Sequence, residues 1–122
     1  MYKINVTDSF SAAHQLKGYN GECKNLHGHT WKVRVGITCN TTDEIGLSLD
    51  FNVVKKHLKE LMEILDHKCL NDLAEFKVMN PTSENLSRFM YLWLKERITM
   101  PDCSLAEVEV WESEKSSIVY SE

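Results

Sequence analysis

The sequence predicts an α+β fold, an antiparallel four-stranded sheet in the order ββααββ with two helices on one face. Three observations carry this. Residues alternate apolar and polar at both ends of the chain, and apolar residues recur at helical spacing between those ends. The strands do not alternate with the helices, as βαβ units of a parallel sheet would. The chain has 122 residues, 43% hydrophobic and 26% charged, which suits one core and leaves no room for a second module. Residues 1–122 therefore read as a single domain.

The first strand starts at Tyr2, with Ile4, Val6, Phe10, Ala12 and His14 on one parity and Lys3, Asn5, Thr7, Ser9 and Ser11 on the other. Residues 17–26 are rich in turn formers and read as a loop. His27, His29, Trp31, Val33, Val35, Ile37 and Cys39 then share one face of a second long strand ending near Asn40. Asp50 is a suitable N-cap for a helix whose apolar stripe is Phe51, Val54, Leu58, Leu61 and Leu65. The stretch from Asp66 to Pro81 reads as loop or short turn, since Pro81 biases Asn80 away from helix. Thr82 or Ser83 caps a second helix carrying Leu86, Phe89, Met90, Trp93, Leu94 and Ile98, stopped by Met100-Pro101. Leu105 to Glu112 and Ser117 to Tyr120 are the last strands, with Ala106, Val108, Val110 and Glu112 on the inward parity. A single-layer sheet leaves one face and its edges exposed, which predicts association between copies.

Composition removes several function classes. Fourteen Lys and Arg against eighteen Asp and Glu leave a net charge of −4, so a nucleic acid would meet repulsion and no nucleic-acid role is expected. No apolar run approaches the roughly 20 residues that span a bilayer, so no membrane role is expected either. The opening Met-Tyr-Lys-Ile-Asn-Val has neither the basic start nor the apolar stretch of a secretory leader, and a cytoplasmic location is expected. In a reducing compartment disulfides are not expected. Cys39, Cys69 and Cys103 read as small buried hydrophobes, and no two of the four cysteines have the spacing of a zinc ribbon.

His27 and His29 are two apart on a strand, so both project from one face with Cα atoms roughly 6.6–6.8 Å apart. His14 ends the first strand on its inward parity, and an antiparallel turn brings it beside them. A His-x-His pair on an apolar face is often two core histidines. Here all three lie on faces carrying Val, Ile and Trp, and burying each imidazole without a partner costs roughly 1–3 kcal/mol. One shared metal relieves all three. Three nitrogen ligands with no fourth protein ligand in evidence is the pattern of a catalytic zinc. Iron held by two His and a carboxylate would want an acidic ligand, and only Asp8 shares this parity in the two strands.

Cys23 precedes His27 by four residues, where a dication favours the thiolate. Asp66-His67 closes the first helix, where the helix dipole favours imidazolium; the pair also reads as an ordinary polar terminus. His57 is a surface residue by spacing. Glu112 needs a partner on its inward parity, either a Lys or Arg or a ligand offering two adjacent N–H donors to a carboxylate fork.

Phe10-Ser11-Ala12-Ala13-His14, Cys23-Lys24-Asn25-Leu26-His27-Gly28-His29, Leu65-Asp66-His67, Asn80-Pro81-Thr82-Ser83-Glu84-Asn85-Leu86 and the late Glu112 together resemble the 6-pyruvoyltetrahydropterin synthase family over nearly the whole chain. The resemblance implies the tunnelling fold, with sheets joined edge to edge into barrels and stacked as a homohexamer whose sites lie at subunit interfaces. It implies Zn2+ on His14, His27 and His29, with Cys23 as base and Asp66 and His67 as its helpers. Glu112 would anchor a pterin triphosphate substrate, and Thr82, Ser83 and Glu84 would contact the pterin, usually from a neighbouring subunit. Three residues between Cys23 and His27 resemble the 6-carboxy-5,6,7,8-tetrahydropterin synthase branch of queuosine and related deazapurine pathways. The pyruvoyl branch and a non-catalytic zinc- or pterin-binding domain are the alternatives. Relatives usually place a threonine after the glutamate, where this chain has Ser113. Lys24, Lys68 and Lys115 are candidates for the triphosphate.

Overall fold

The computed structural model describes residues 1–18 and 25–122, so Cys23 and Lys24 lie outside the described residues. Strands β1 (Tyr2–His14) and β2 (His27–Cys39) pair antiparallel without a break, from Tyr2 opposite Cys39 to His14 opposite His27. The two alternating patterns match across this ladder, with Phe10 facing Trp31 and Val6 facing Val35. Helix α1 (Phe51–Leu65) starts where Asp50 accepts a hydrogen bond from the Asn52 amide at 2.9 Å. It buries Val54, Leu58, Leu61, Met62 and Leu65, and each fully buried side chain contributes roughly 1.5–3 kcal/mol. Phe51, the first residue of the predicted stripe, is exposed.

Helix α2 (Ser83–Lys95) is capped by Thr82, whose hydroxyl accepts from the Asn85 amide at 3.1 Å. It ends before Met100-Pro101, and Ile98 reaches the core from beyond the last turn. Helix α1 lies over β1, and α2 over β4 (Cys103–Ser113) and β5 (Ser116–Ser121). Both cover the face that carries Trp31, Val33, Val35, Val108 and Val110, all fully buried.

Two features of the sheet differ from the expectation. It has five strands in the order β3-β1-β2-β4-β5, and it is mixed, because the two-residue β3 (Lys68–Cys69) runs parallel to β1. After α1 the chain turns through His67, in the left-handed region at φ 57°, and the His67 amide donates to the Ser11 carbonyl at 2.6 Å. Two residues are too few to show an alternating pattern, so only the docking of this segment reveals the strand. The second difference is a register shift opposite Gly36 and Ile37. Leu105 faces Ile37 and Glu107 faces Gly36, so Ala106 is the extra residue of a bulge, and Leu105 takes the buried position expected for Ala106.

Cys39 and Cys103, directly opposite across β2 and β4, form a disulfide. This overturns the reading of both as unpaired thiols, because the pairing depends on strand register rather than spacing. Among the described residues Cys69 is a free, partly buried thiol. The sheet's other face is polar. Arg34 there bonds Glu107 at 2.8 Å and Glu109 at 2.9 Å, and Lys3 pairs with Glu107. Gly36 sits beneath this network, where an added Cβ would lie 3.0 Å from the Glu107 and Lys3 side chains. No helix among the described residues is long and apolar enough to cross a membrane.

Candidate functional site

At one end of the β1–β2 ladder the registers His14 opposite His27 and Ala12 opposite His29 put three imidazoles on the inner face. Trp31 supports them. Fully buried, it stands edge-on to His14 and His29, and its indole N–H donates to the Ala12 carbonyl at 3.2 Å. His14 Nδ1 lies 2.8 Å from the Pro81 carbonyl and His27 Nδ1 lies 2.7 Å from the Asn25 carbonyl. A carbonyl oxygen only accepts, so both Nδ1 atoms carry the proton and donate. In the neutral rings both Nε2 atoms are then bare lone pairs, yet they face each other at 3.0 Å.

Glu112 completes the cluster. Its Oε1 is 3.3 Å from His14 Nε2 and 3.1 Å from His29 Nε2, and the four donor atoms lie within 4.8 Å of one another. Among the described residues His29 Nε2 is buried with the Glu112 carboxylate, 3.1 Å away, as its polar neighbour outside the histidines. Burial holds the His29 imidazole below the usual histidine value; the Glu112 carboxylate opposes this, and the neighbouring His14 and His27 rings add to it. A neutral ring is a ligand, a protonated one is not. Tetrahedral zinc with Zn–N near 2.0–2.1 Å spaces its ligand atoms about 3.3–3.4 Å apart, close to the separations found. The residues present fit a zinc ion.

Sequence reasoning placed the three histidines here but not Glu112 among them. The missing signal is the β2–β4 register, with Trp111 opposite Lys32, which brings the end of β4 to the histidine end of β2; beside it the β4–β5 register shifts between Trp111 opposite Ser117 and Ser113 opposite Ser116. Glu112 is the unpaired residue there, and bulges re-aim side chains. Asp8, the other carboxylate on the inward parity, is exposed and accepts from the Ser9 amide.

A cavity of about 290 Å³ opens beside the cluster, lined by His14, Glu112, Thr82, Ser83 and Glu84 among others. Thr82, Ser83 and Glu84 thus flank Glu112 within one chain, whereas the resemblance has such residues usually arriving from a neighbour. Two side-chain amides hold the residues on either side of Leu16, which also lines the cavity. Asn71 bonds both the amide and the carbonyl of Gln15, and Asn80 does the same for Lys17. Nothing local in the sequence marks these clamps, which join residues 56 and 63 positions apart.

Asp66 and His67 meet each other but not the cavity. Asp66 Oδ2 is 2.9 Å from His67 Nδ1, while Oδ1 accepts from the Ser11 amide at 2.8 Å. The Ser11 amide, then His67, hold the Asp66 carboxyl below its ordinary value. The His67 side chain is 84% exposed and borders an open depression with Ser11, Gly28, His29 and Lys68. Lys115 is exposed in the β4–β5 turn.

Comparison with known proteins gives the chain's family and fold. The sequence profile of a family described as 6-pyruvoyl tetrahydropterin synthase matches residues 3–122. The chain is 39% identical over 101 residues to the 6-carboxy-5,6,7,8-tetrahydropterin synthase of Synechocystis, covering 79% of this chain and 77% of that one. It is 35% identical to the 6-pyruvoyl tetrahydrobiopterin synthase of Dictyostelium discoideum, over 91% and 89%. The structure of Caenorhabditis elegans 6-pyruvoyl tetrahydropterin synthase superposes with a TM-score of 0.88 at 29% identity, covering 99% of this chain and 95% of that one. The chain belongs to the 6-pyruvoyl tetrahydropterin synthase family.

Proposed function

We propose that the protein is a zinc-dependent 6-carboxy-5,6,7,8-tetrahydropterin synthase, a lyase that converts 7,8-dihydroneopterin triphosphate to 6-carboxytetrahydropterin and releases acetaldehyde and triphosphate. The observation that carries the reading is the pair of opposed Nε2 lone pairs on His14 and His27, 3.0 Å apart, with His29 and Glu112 beside them. Such a donor set asks for a cation. Family membership supplies the substrate class, and the name of the Synechocystis relative supports the carboxy product.

Zinc held by His14, His27 and His29 supplies Lewis acidity toward the substrate's side-chain oxygens and the charge that develops on deprotonation. Glu112 accepts the paired N–H donors of the pterin ring, and Thr82, Ser83 and Glu84 line the same cavity. Cys23 takes the proton from carbon, and His67, oriented by the 2.9 Å contact to Asp66, moves protons on the other side. Because His67 is exposed and does not line the cavity beside Glu112, it is assigned to a neighbouring subunit's site, in keeping with a homohexamer whose sites lie at subunit interfaces. Residues 1–122 act as one domain. A cytoplasmic location belongs to the same reading, and the Cys39–Cys103 bridge weighs against it.

A second reading, the pyruvoyl synthase that eliminates triphosphate only, is favoured by the name of the Dictyostelium relative. Product analysis on dihydroneopterin triphosphate separates the two: acetaldehyde with 6-carboxytetrahydropterin supports the carboxy reaction, and 6-pyruvoyltetrahydropterin the other. Ligand binding with neither product leaves a binding domain and defeats the proposal. Cys23→Ala should lower turnover by roughly 10²–10⁴ while retaining zinc.

A further inference from the structure

We infer that Glu112 has two partners in succession: in the substrate-free protein it is the fourth donor to the metal held by His14, His27 and His29, and it leaves that position to receive the pterin. The inference rests on the zinc reading above and deepens it. Its ground is geometric. Glu112 is the unpaired residue of the β4–β5 bulge, so no β5 residue stands directly opposite it. Oε1 lies 3.1 and 3.3 Å from two histidine nitrogens, whereas among the described residues Oε2 has no hydrogen-bond partner. The carboxylate is also on the wall of the cavity, with its side chain one-third exposed.

A ligand that offers two adjacent N–H donors takes both oxygens of a carboxylate. With Oε1 lodged beside the His14 and His29 nitrogens, the carboxylate edge is turned to the cluster, and presenting both oxygens to the fork requires it to swing away. Three histidines and a carboxylate close a tetrahedral site against stray ligands, whereas catalysis needs one position open. A single residue that moves between metal and pterin opens the site only when the correct ring has arrived. Selectivity for the pterin and readiness of the metal are then coupled through Glu112.

Two measurements on the full chain test this, and neither reads turnover. The first is zinc affinity by competition with a chromophoric chelator, for the wild type, Glu112→Gln and His29→Ala. Glu112→Gln is nearly isosteric, so the histidines keep their places, and it should bind zinc roughly 10–100-fold more weakly than wild type. The second uses wild-type protein only, with pterin that lacks a C6 side chain and so offers the fork without oxygens for the metal. Because coupling between sites is reciprocal, this pterin should bind several-fold more tightly to zinc-free than to zinc-loaded protein. Equal zinc affinity in wild type and Glu112→Gln, or equal pterin affinity with and without zinc, overturns the inference while leaving the zinc reading intact. Absence of zinc binding by the wild type overturns both.

Discussion

His14 and His27 stand Nε2 to Nε2 at 3.0 Å, each with its Nδ1 proton committed to a backbone carbonyl, of Pro81 and Asn25 respectively. The carbonyls dictate the tautomer, and the tautomer leaves two acceptors face to face. A purified preparation should therefore carry about one zinc per chain, falling close to none in His27→Ala after dialysis. Atomic absorption on both proteins checks this, and zinc-free wild type under metal-replete conditions would remove the metal from the site.

The paired amide bridges of Asn71 to Gln15 and Asn80 to Lys17 fasten the segment after His14. Deleting either side chain leaves a backbone amide and carbonyl to find water. Asn71→Ala and Asn80→Ala should each lower unfolding stability by roughly 1–3 kcal/mol in urea titrations. A change within the error of the titration would mean that the bridges are replaced by solvent at no cost.

The Cys39–Cys103 disulfide closes a loop with a sequence separation of 64. Reduction should cost roughly 2–5 kcal/mol of stability, seen as a lower urea midpoint with reductant. Peptide mapping under non-reducing conditions should recover the Cys39 and Cys103 peptides as one species. Separate peptides from protein purified without reductant would refute the pairing.

The Asp66 carboxyl is held below 3.8, first by the Ser11 amide and then by His67. Its folded value is depressed, so the stability it contributes is present above about pH 3.8 and is lost as pH falls through the folded value. Urea midpoints of wild type and Asp66→Asn should differ by a constant amount near neutrality and converge below that pH. An NMR titration should find Asp66 still depressed in His67→Ala, because the Ser11 amide remains. A return to the ordinary value in that variant would assign the effect to His67 alone.

Period-2 alternation and 3.6-residue periodicity are local properties, and they were enough for β1, β2 and both helices; the cap at Asp50 was legible too, while only the structure chose Thr82 over Ser83. The three histidines were legible for the same reason, since strand parity and the opposed ends of β1 and β2 bring them together. Glu112 was legible as inward-facing but not as a member of the cluster. Its place beside the histidines depends on the register of β4 against β2, with Trp111 opposite Lys32, which neither strand records alone. Ala106 misleads in the same way, because the bulge there exchanges it with Leu105.

The sequence by itself determined which residues are apolar on which face, and hence the two-layer fold and the inward histidines, while its motifs carried the resemblance to the pterin synthase family. Tertiary structure alone decided the parallel β3, the Cys39–Cys103 bridge, the amide clamps, the tautomers of His14 and His27 and the contact of Glu112 with the cluster. The physical reason is range. Side-chain polarity acts through short repeats along the chain, whereas hydrogen bonds and donor sets form between segments whose register only packing establishes.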